Sequence, residues 1–241
     1  MTIALERLEA EPVLATLQQL RDRIGARFPE RGLYGVSGDL LALADKVATS
    51  SALNRDRLRV VRLGSRVLIL VVVVLTVVAF SFALGSAFEE GPEHEVEWLS
   101  LLESGVNDLV FAAIGIWFLY TVPERLRRSD SLALLHELRS LAHIIDMHQL
   151  NKDPERLRTG FTPTSVSPTM NLTYEELEHY LDYCSELLSM VGKTAALCAE
   201  ESRDAVVLDT VSTIETLTNG MSRKIWQKIS VLNEVRRSAG A

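Results

Sequence analysis

Between Leu135 and Pro154 the chain reads LHELRSLAHIIDMHQLNKDP, and three of its five histidines fall there, beside Glu137, Arg139, Asp146 and Asp153. At 100° per residue of helix, His136, Arg139, His143 and Asp146 form one polar line about 80° wide. It lies roughly opposite the apolar line Leu134, Leu138, Leu141 and Ile145. Imidazole and carboxylate suit transition metals, and His143 and Asp146 stand one turn apart. His136, His143 and Asp146 are therefore candidate metal ligands. A second reading is a hydrogen-bonded network. Leu132, Leu135, Ala142, Ile144, Met147 and Leu150 flank the line closely, and a helix apolar on most sides is usually buried. Buried charges need partners, so this reading pairs Asp146 with His143 or with a basic group on another helix. The third reading is a solvated face. His148 lies off the line and is left out of all three.

Two further patterns bear on chemistry. Glu176 and His179 have the Glu-x-x-His spacing of di-iron bundles, but only one such pair exists. Thr173 with Glu176 also reads as a capping box, which explains the glutamate without a metal. Asn107 and Asp108, with Ser100 and Ser104, share one side of an otherwise apolar helix. An ionisable residue inside a membrane span is costly and marks a candidate functional position. Asn107 and Asp108 could line a pore built from several chains or bond helices together, and the bland alternative is an outer helix cap. The chain shows no Ser-His-Asp grouping, phosphate loop or nucleotide fingerprint.

These positions depend on where the apolar elements lie. The chain has 241 residues, 47% of them hydrophobic, and a mean hydropathy of +0.14. The excess is concentrated. Val67–Phe88 reads VLILVVVVLTVVAFSFALGSAF, 22 residues without a charge, and roughly 20 apolar residues cross a bilayer as a helix. Some sixty residues precede this run, about twice the length of a signal peptide. A second run, LVFAAIGIWFLYTV at Leu109–Val122, has 14 residues. It covers only about 21 Å, so it must recruit residues back to near Glu103, with Trp98 at the interface. Two spans, 67–88 and 98–122, are expected to form a hairpin. Arg55, Arg57, Arg59, Arg62 and Arg66 precede the first span, and Arg125, Arg127 and Arg128 follow the second. The connecting loop EEGPEHEVE, 89–97, has neither Lys nor Arg. Positive residues stay on the cytoplasmic side, which puts both termini in the cytoplasm and the acidic loop outside. The arginines sit at the bilayer edges, so nucleic-acid binding lacks support.

The flanking regions read as helices. In region 1–66, Val13, Leu14, Leu17, Leu20 and Ile24 recur at helical spacing, and Pro29, Gly32, Gly35 and Gly38 predict a break before a second helix near Asp39. Region 123–241 is expected to start a new helix at Pro123. Arg158–Met170 is a Pro-, Ser- and Thr-rich loop. A helix after Thr173 carries the seam Leu177, Leu181, Cys184, Leu188 and Val191. The last helix runs from about Asp204 to Arg237 with a possible break at Asn219-Gly220. Its seam is Val211, Ile214, Leu217, Met221, Ile225, Ile229 and Leu232. The fold class is all-α, a two-helix transmembrane hairpin with a cytoplasmic helical bundle. Cys184 and Cys198 have no zinc or redox spacing and are expected reduced. No cofactor is called for beyond the candidate metal.

The stretch HELRSLAHIIDMHQL, with KDP, LDYCSELLSMVGK and SRKIWQKI after it, resembles a family of bacterial two-span integral membrane proteins that has no known activity. The resemblance covers the chain from the second span to the C-terminus. It implies a bacterial cell-membrane location and transfers no site residue. The resulting expectation is a non-enzymatic membrane protein whose hairpin anchors a cytoplasmic helical domain for oligomeric assembly, sensing or scaffolding. Its partners would be the lipid bilayer and further copies of itself. The alternatives are a small homo-oligomeric ion channel, and a metal-dependent membrane enzyme using the histidine line.

Overall fold

Helix starts are set locally. Thr173 Oγ1 accepts from the Glu176 amide, and the Glu176 carboxylate accepts from the Thr173 amide at 2.8 Å, so the expected capping box forms. Asp204 accepts from the amides of Val206 and Val207 and starts the last helix in the same way. Side chains thus satisfy amides that a helix N-terminus leaves unpaired. The computed structural model describes residues 8–90, 95–158, 160–167, 171–200 and 202–239. Its α-helices are α1 (Ala10–Arg27), α2 (Gly32–Glu90), α3 (Glu95–Leu150), α4 (Tyr174–Ala199) and α5 (Ala205–Ala239). A 3-10 turn spans Pro154–Leu157, and no strand occurs among the described residues.

Three sequence expectations change. α2 starts at Gly32, not near Asp39. The glycine that opens it is a point of close approach, since a Cβ on Gly32 would lie 2.6 Å from the His148 ring. α3 does not begin at Pro123 but runs through it. Proline's fixed φ suits a helix, and the ring removes one backbone hydrogen bond from a long ladder. Nor does α5 break at Asn219-Gly220. Burial of Met221, Ile225 and Ile229 just beyond outweighs glycine's cost of about 1 kcal/mol.

The chain divides into two units, one of Met1–Ser51 and Asp130–Ala241, the other of Ala52–Ser129. In the first, residues from all five helices share one core. Leu17 and Ile24 of α1, Leu40 of α2, Leu138 and Ile145 of α3, Leu181 and Leu188 of α4 and Ile214 of α5 are essentially sealed. The predicted seams of α4 and α5 lie in this core, with Leu217 at its edge. Exposed ion pairs join neighbouring helices: Arg23 with Glu186 at 2.8 Å, Lys46 with Glu137 at 2.8 Å, and Arg236 with Glu178 at 3.6 Å. Such pairs are worth about 0–1 kcal/mol each, so the apolar seams carry the stability.

Among the described residues, the second unit contributes none to the buried apolar core. α2 and α3 are each long and apolar enough to cross a membrane, and none of the qualifying window in either is buried inside the structure. On α2, Val61, Ser65, Ile69, Val72 and Thr76 are half-buried at helical spacing, while Leu70, Val74, Leu75 and Phe82 are exposed. The hydroxyls in this apolar stretch return to their own backbone: Thr76 Oγ1 donates to Val72 O and Ser81 Oγ to Val77 O, both at 2.8 Å. Part of the expected acidic loop, residues 91–94, lies outside the described residues, as does the side chain of Trp98.

Candidate functional site

The polar line on α3 faces outward. His136, Arg139 and His143 are exposed and Asp146 is half-buried. The burial that the network reading needs is lacking at His136, Arg139 and His143, because α3 packs through one arc only, Leu134, Leu135, Leu138, Leu141, Ala142 and Ile145. Ile144, Met147 and Leu150, expected to close over the line, are themselves exposed. Asp146 does not pair with His143. Its Oδ1 accepts from Gln149 Nε2 at 2.7 Å, on the same helix. Among the described residues, no group of three or more His, Cys, Asp or Glu side chains is placed to hold a metal ion. The Glu-x-x-His pair is occupied otherwise: Glu176 closes the capping box, and His179 Nε2 lies 3.7 Å from Glu175 and stacks on Tyr183. Asn107 and Asp108 are exposed on α3 among exposed Val106, Leu109 and Val110.

The structure instead gathers polar groups at the C-terminal end of α3, around the histidine set aside from the line. His148 stands beside Gly32 at the start of α2. Its Nδ1 is 3.4 Å from the Tyr180 hydroxyl of α4. Lys152, just past the end of α3, puts Nζ 5.5 Å from the centre of the Tyr180 ring. Tyr180 packs edge-on against Phe28 from the α1–α2 turn, with ring centres 5.4 Å apart. Lys228 of α5 donates to the carbonyl of Gln149 at 2.8 Å, with Leu150 O at 3.5 Å. Gln149 O also accepts from the Lys152 amide at 3.0 Å, so Lys228 is a second donor to it and places a cation where the helix dipole favours one. The start of α2, the end of α3, the second turn of α4 and the second half of α5 therefore meet at one junction.

Burial governs the protonation of this junction. Desolvation, then the charge of Lys152, lowers the His148 pKa from its ordinary value, so the ring favours the neutral form. Desolvation also lowers Lys228 against the opposing pull of Asp153 and Asp146, and lowers Lys152, which Arg31 and Arg156 push further down. It raises the Tyr180 phenol well above its usual range and pushes the Cys184 thiol up to about 12. A sealed, protonated thiol is a poor nucleophile. Gln149 is buried and its Oε1 has no hydrogen-bond partner. The junction is built to hold helix ends together. The hydroxyl that meets a base there, Tyr180 beside His148, is buried and its phenol is held protonated.

Sequence reading missed the junction because its members are far apart in the chain. One signal was available: α3 ends at Leu150, and a helix C-terminus leaves carbonyls that call for donors. No protein family, curated protein or solved structure matches the chain.

Proposed function

We propose that the protein is an integral membrane protein in which the apolar segments of α2 and α3 form a hairpin anchor. The unit of Met1–Ser51 and Asp130–Ala241 is then a cytoplasmic helical domain that assembles into oligomers and serves in scaffolding or sensing, without catalysis. One observation carries the reading. The apolar seams of the first unit are covered by the chain itself, whereas the apolar surface of α2 and α3 in the second is not. A continuous uncovered apolar surface of this extent marks a membrane or partner contact.

The arginine flanks support cytoplasmic termini. The test is a cysteine placed at Gly91 or at Ser238, labelled in intact cells with a membrane-impermeant thiol reagent. Gly91→Cys is expected to label and Ser238→Cys to be protected until the membrane is opened. The reverse pattern refutes the orientation. Release of the chain from membranes by alkaline carbonate refutes the anchor.

A further inference from the structure

Along the first unit, α1 and the start of α2 leave a shallow groove of about 950 Å³, lined by Leu14, Ala15, Arg21, Gly38, Leu41 and Ala42 among others. The two helices run antiparallel: Gly25 lies against Tyr34 and Gly38 against Arg21. Arg21 thus marks one end of the groove. Asp45 and Glu11, also lining it, fall towards the other. The Arg21 guanidinium lies over the Tyr34 ring at 5.2 Å, and its buried Nε has no hydrogen-bond partner. Arg21, Glu11 and Asp45 form no ion pair among the described residues. The groove is apolar along its floor, cationic at one end and anionic at the other. Its alanines and glycine allow a helix to approach closely, in the manner of helix-in-groove recognition.

A helix of matching pattern is present on the outer face of α5. Arg223, Trp226, Ser230 and Glu234 are all exposed there, at steps of three and four residues. Trp226 is 57% exposed, large for an indole on a polar surface. Neither Arg223 nor Glu234 forms an ion pair among the described residues. Arg223 and Glu234 lie three turns apart on one face, about 16 Å at 1.5 Å per residue, and Glu11 and Arg21 are about 15 Å apart along α1.

We infer that the α1–α2 groove of one copy receives the outer face of α5 from a second copy, with Glu234 on Arg21, Arg223 on Glu11 and Asp45, and Trp226 on the floor between Leu14 and Leu41. The inference names the contact through which the oligomer proposed above assembles, and it rests on that reading. Charge complementarity at both ends fixes the direction of the incoming helix, since reversal sets Arg223 against Arg21. Groove and stripe are different patches, so the contact is heterologous and each copy offers both halves.

The test is the concentration dependence of molar mass of the full-length chain in detergent micelles, by light scattering. Glu234→Arg and Ala42→Trp both alter exposed positions, so the fold is kept. Each is expected to weaken self-association at least ten-fold. Arg21→Glu should weaken it similarly, and Arg21→Glu combined with Glu234→Arg should restore it to within about three-fold of the original. An oligomer indifferent to Glu234→Arg and Ala42→Trp overturns this contact and leaves the oligomer reading standing. Failure of the double exchange to restore association, with the helical signal intact, overturns the pairing and with it the docking mode. A wild-type chain that is monomeric at every concentration overturns both this contact and the oligomer reading, and leaves the groove for a helix of another protein.

Discussion

His148 is the residue whose surroundings do most to decide its state. The ring is flanked by Tyr180 from α4, by Lys152, and by the backbone of Gly32, with Arg31 acting on the same Lys152 and Tyr180. Its pKa in the folded chain lies below the unfolded value of 6.5. Stability from the neutral ring is therefore complete above that pH and declines as pH falls through it, because the unfolded chain then binds the extra proton. The melting temperature of the detergent-solubilised protein should drop between pH 7.5 and pH 5. His148→Gln should flatten that slope, and a slope unchanged by the substitution would remove His148 as its source. Gly32 is the steric counterpart. A Cβ there would press on the His148 ring at 2.6 Å, whereas Gly35, one turn on, meets nothing within 4 Å. Overpacking costs about 1–3 kcal/mol, and Gly→Ala in an unobstructed helix gains about 0.4–1 kcal/mol. Gly32→Ala should lower stability and Gly35→Ala should raise it, in the same helix and by the same chemical change. Denaturant titration of the two variants decides the matter by sign.

At the scale of elements, the end of α3 takes a further donor from a residue 79 positions downstream, Lys228 on Gln149 O. Hydrogen bonds from a charged donor contribute about 1.5–3 kcal/mol. Lys228→Met, which keeps the aliphatic stem, should cost about 1–2 kcal/mol and speed amide exchange in the last turn of α3 while leaving the first turn of α4 unchanged. Equal acceleration at both would mean a general loosening rather than a lost cap. The elements themselves were largely readable from sequence, because each buried seam repeats at three and four residues and the Thr173 box is purely local. What misled was the meaning of glycine and proline. Gly32 suits a turn in isolation, but here it admits a histidine ring. Pro123 suits a helix start, yet α3 runs through it at the loss of one backbone bond. Burial on α3 is left open by the sequence. A helical wheel orders side chains by angle but cannot say how many neighbouring helices surround it, and Ile144, Met147 and Leu150 have none over them. The junction was hidden for a related reason, since His148, Gly32, Tyr180 and Lys228 meet only after four helices have packed.

At the scale of the whole molecule, polar and apolar surfaces are segregated along the sequence. The unit of Ala52–Ser129 presents Leu70, Val74, Leu75, Phe82, Phe111 and Trp117 outward, each at least half exposed. A bilayer that covers this surface should reject charge there. Arg near the middle of a span costs about 2.5–3.5 kcal/mol on insertion scales, so Val73→Arg with Val74→Arg imposes about 5–7 kcal/mol. The double variant should leave the carbonate-resistant membrane fraction, while the same two arginines at exposed Thr213 and Glu215 of α5 should not shift the chain between fractions. Equal retention of both variants would argue against a spanning α2.

Trp117 and Trp226 are exposed to similar degrees, 61% and 57%, but on different units of the chain. If lipid covers the first and water the second, the molecule carries two intrinsic fluorophores in two media. With Trp98 replaced by Phe, a brominated phospholipid should quench one component of the emission and iodide the other. The ratio of the two would then read out, without any attached dye, whether the α5 face has been covered while the anchor stays embedded.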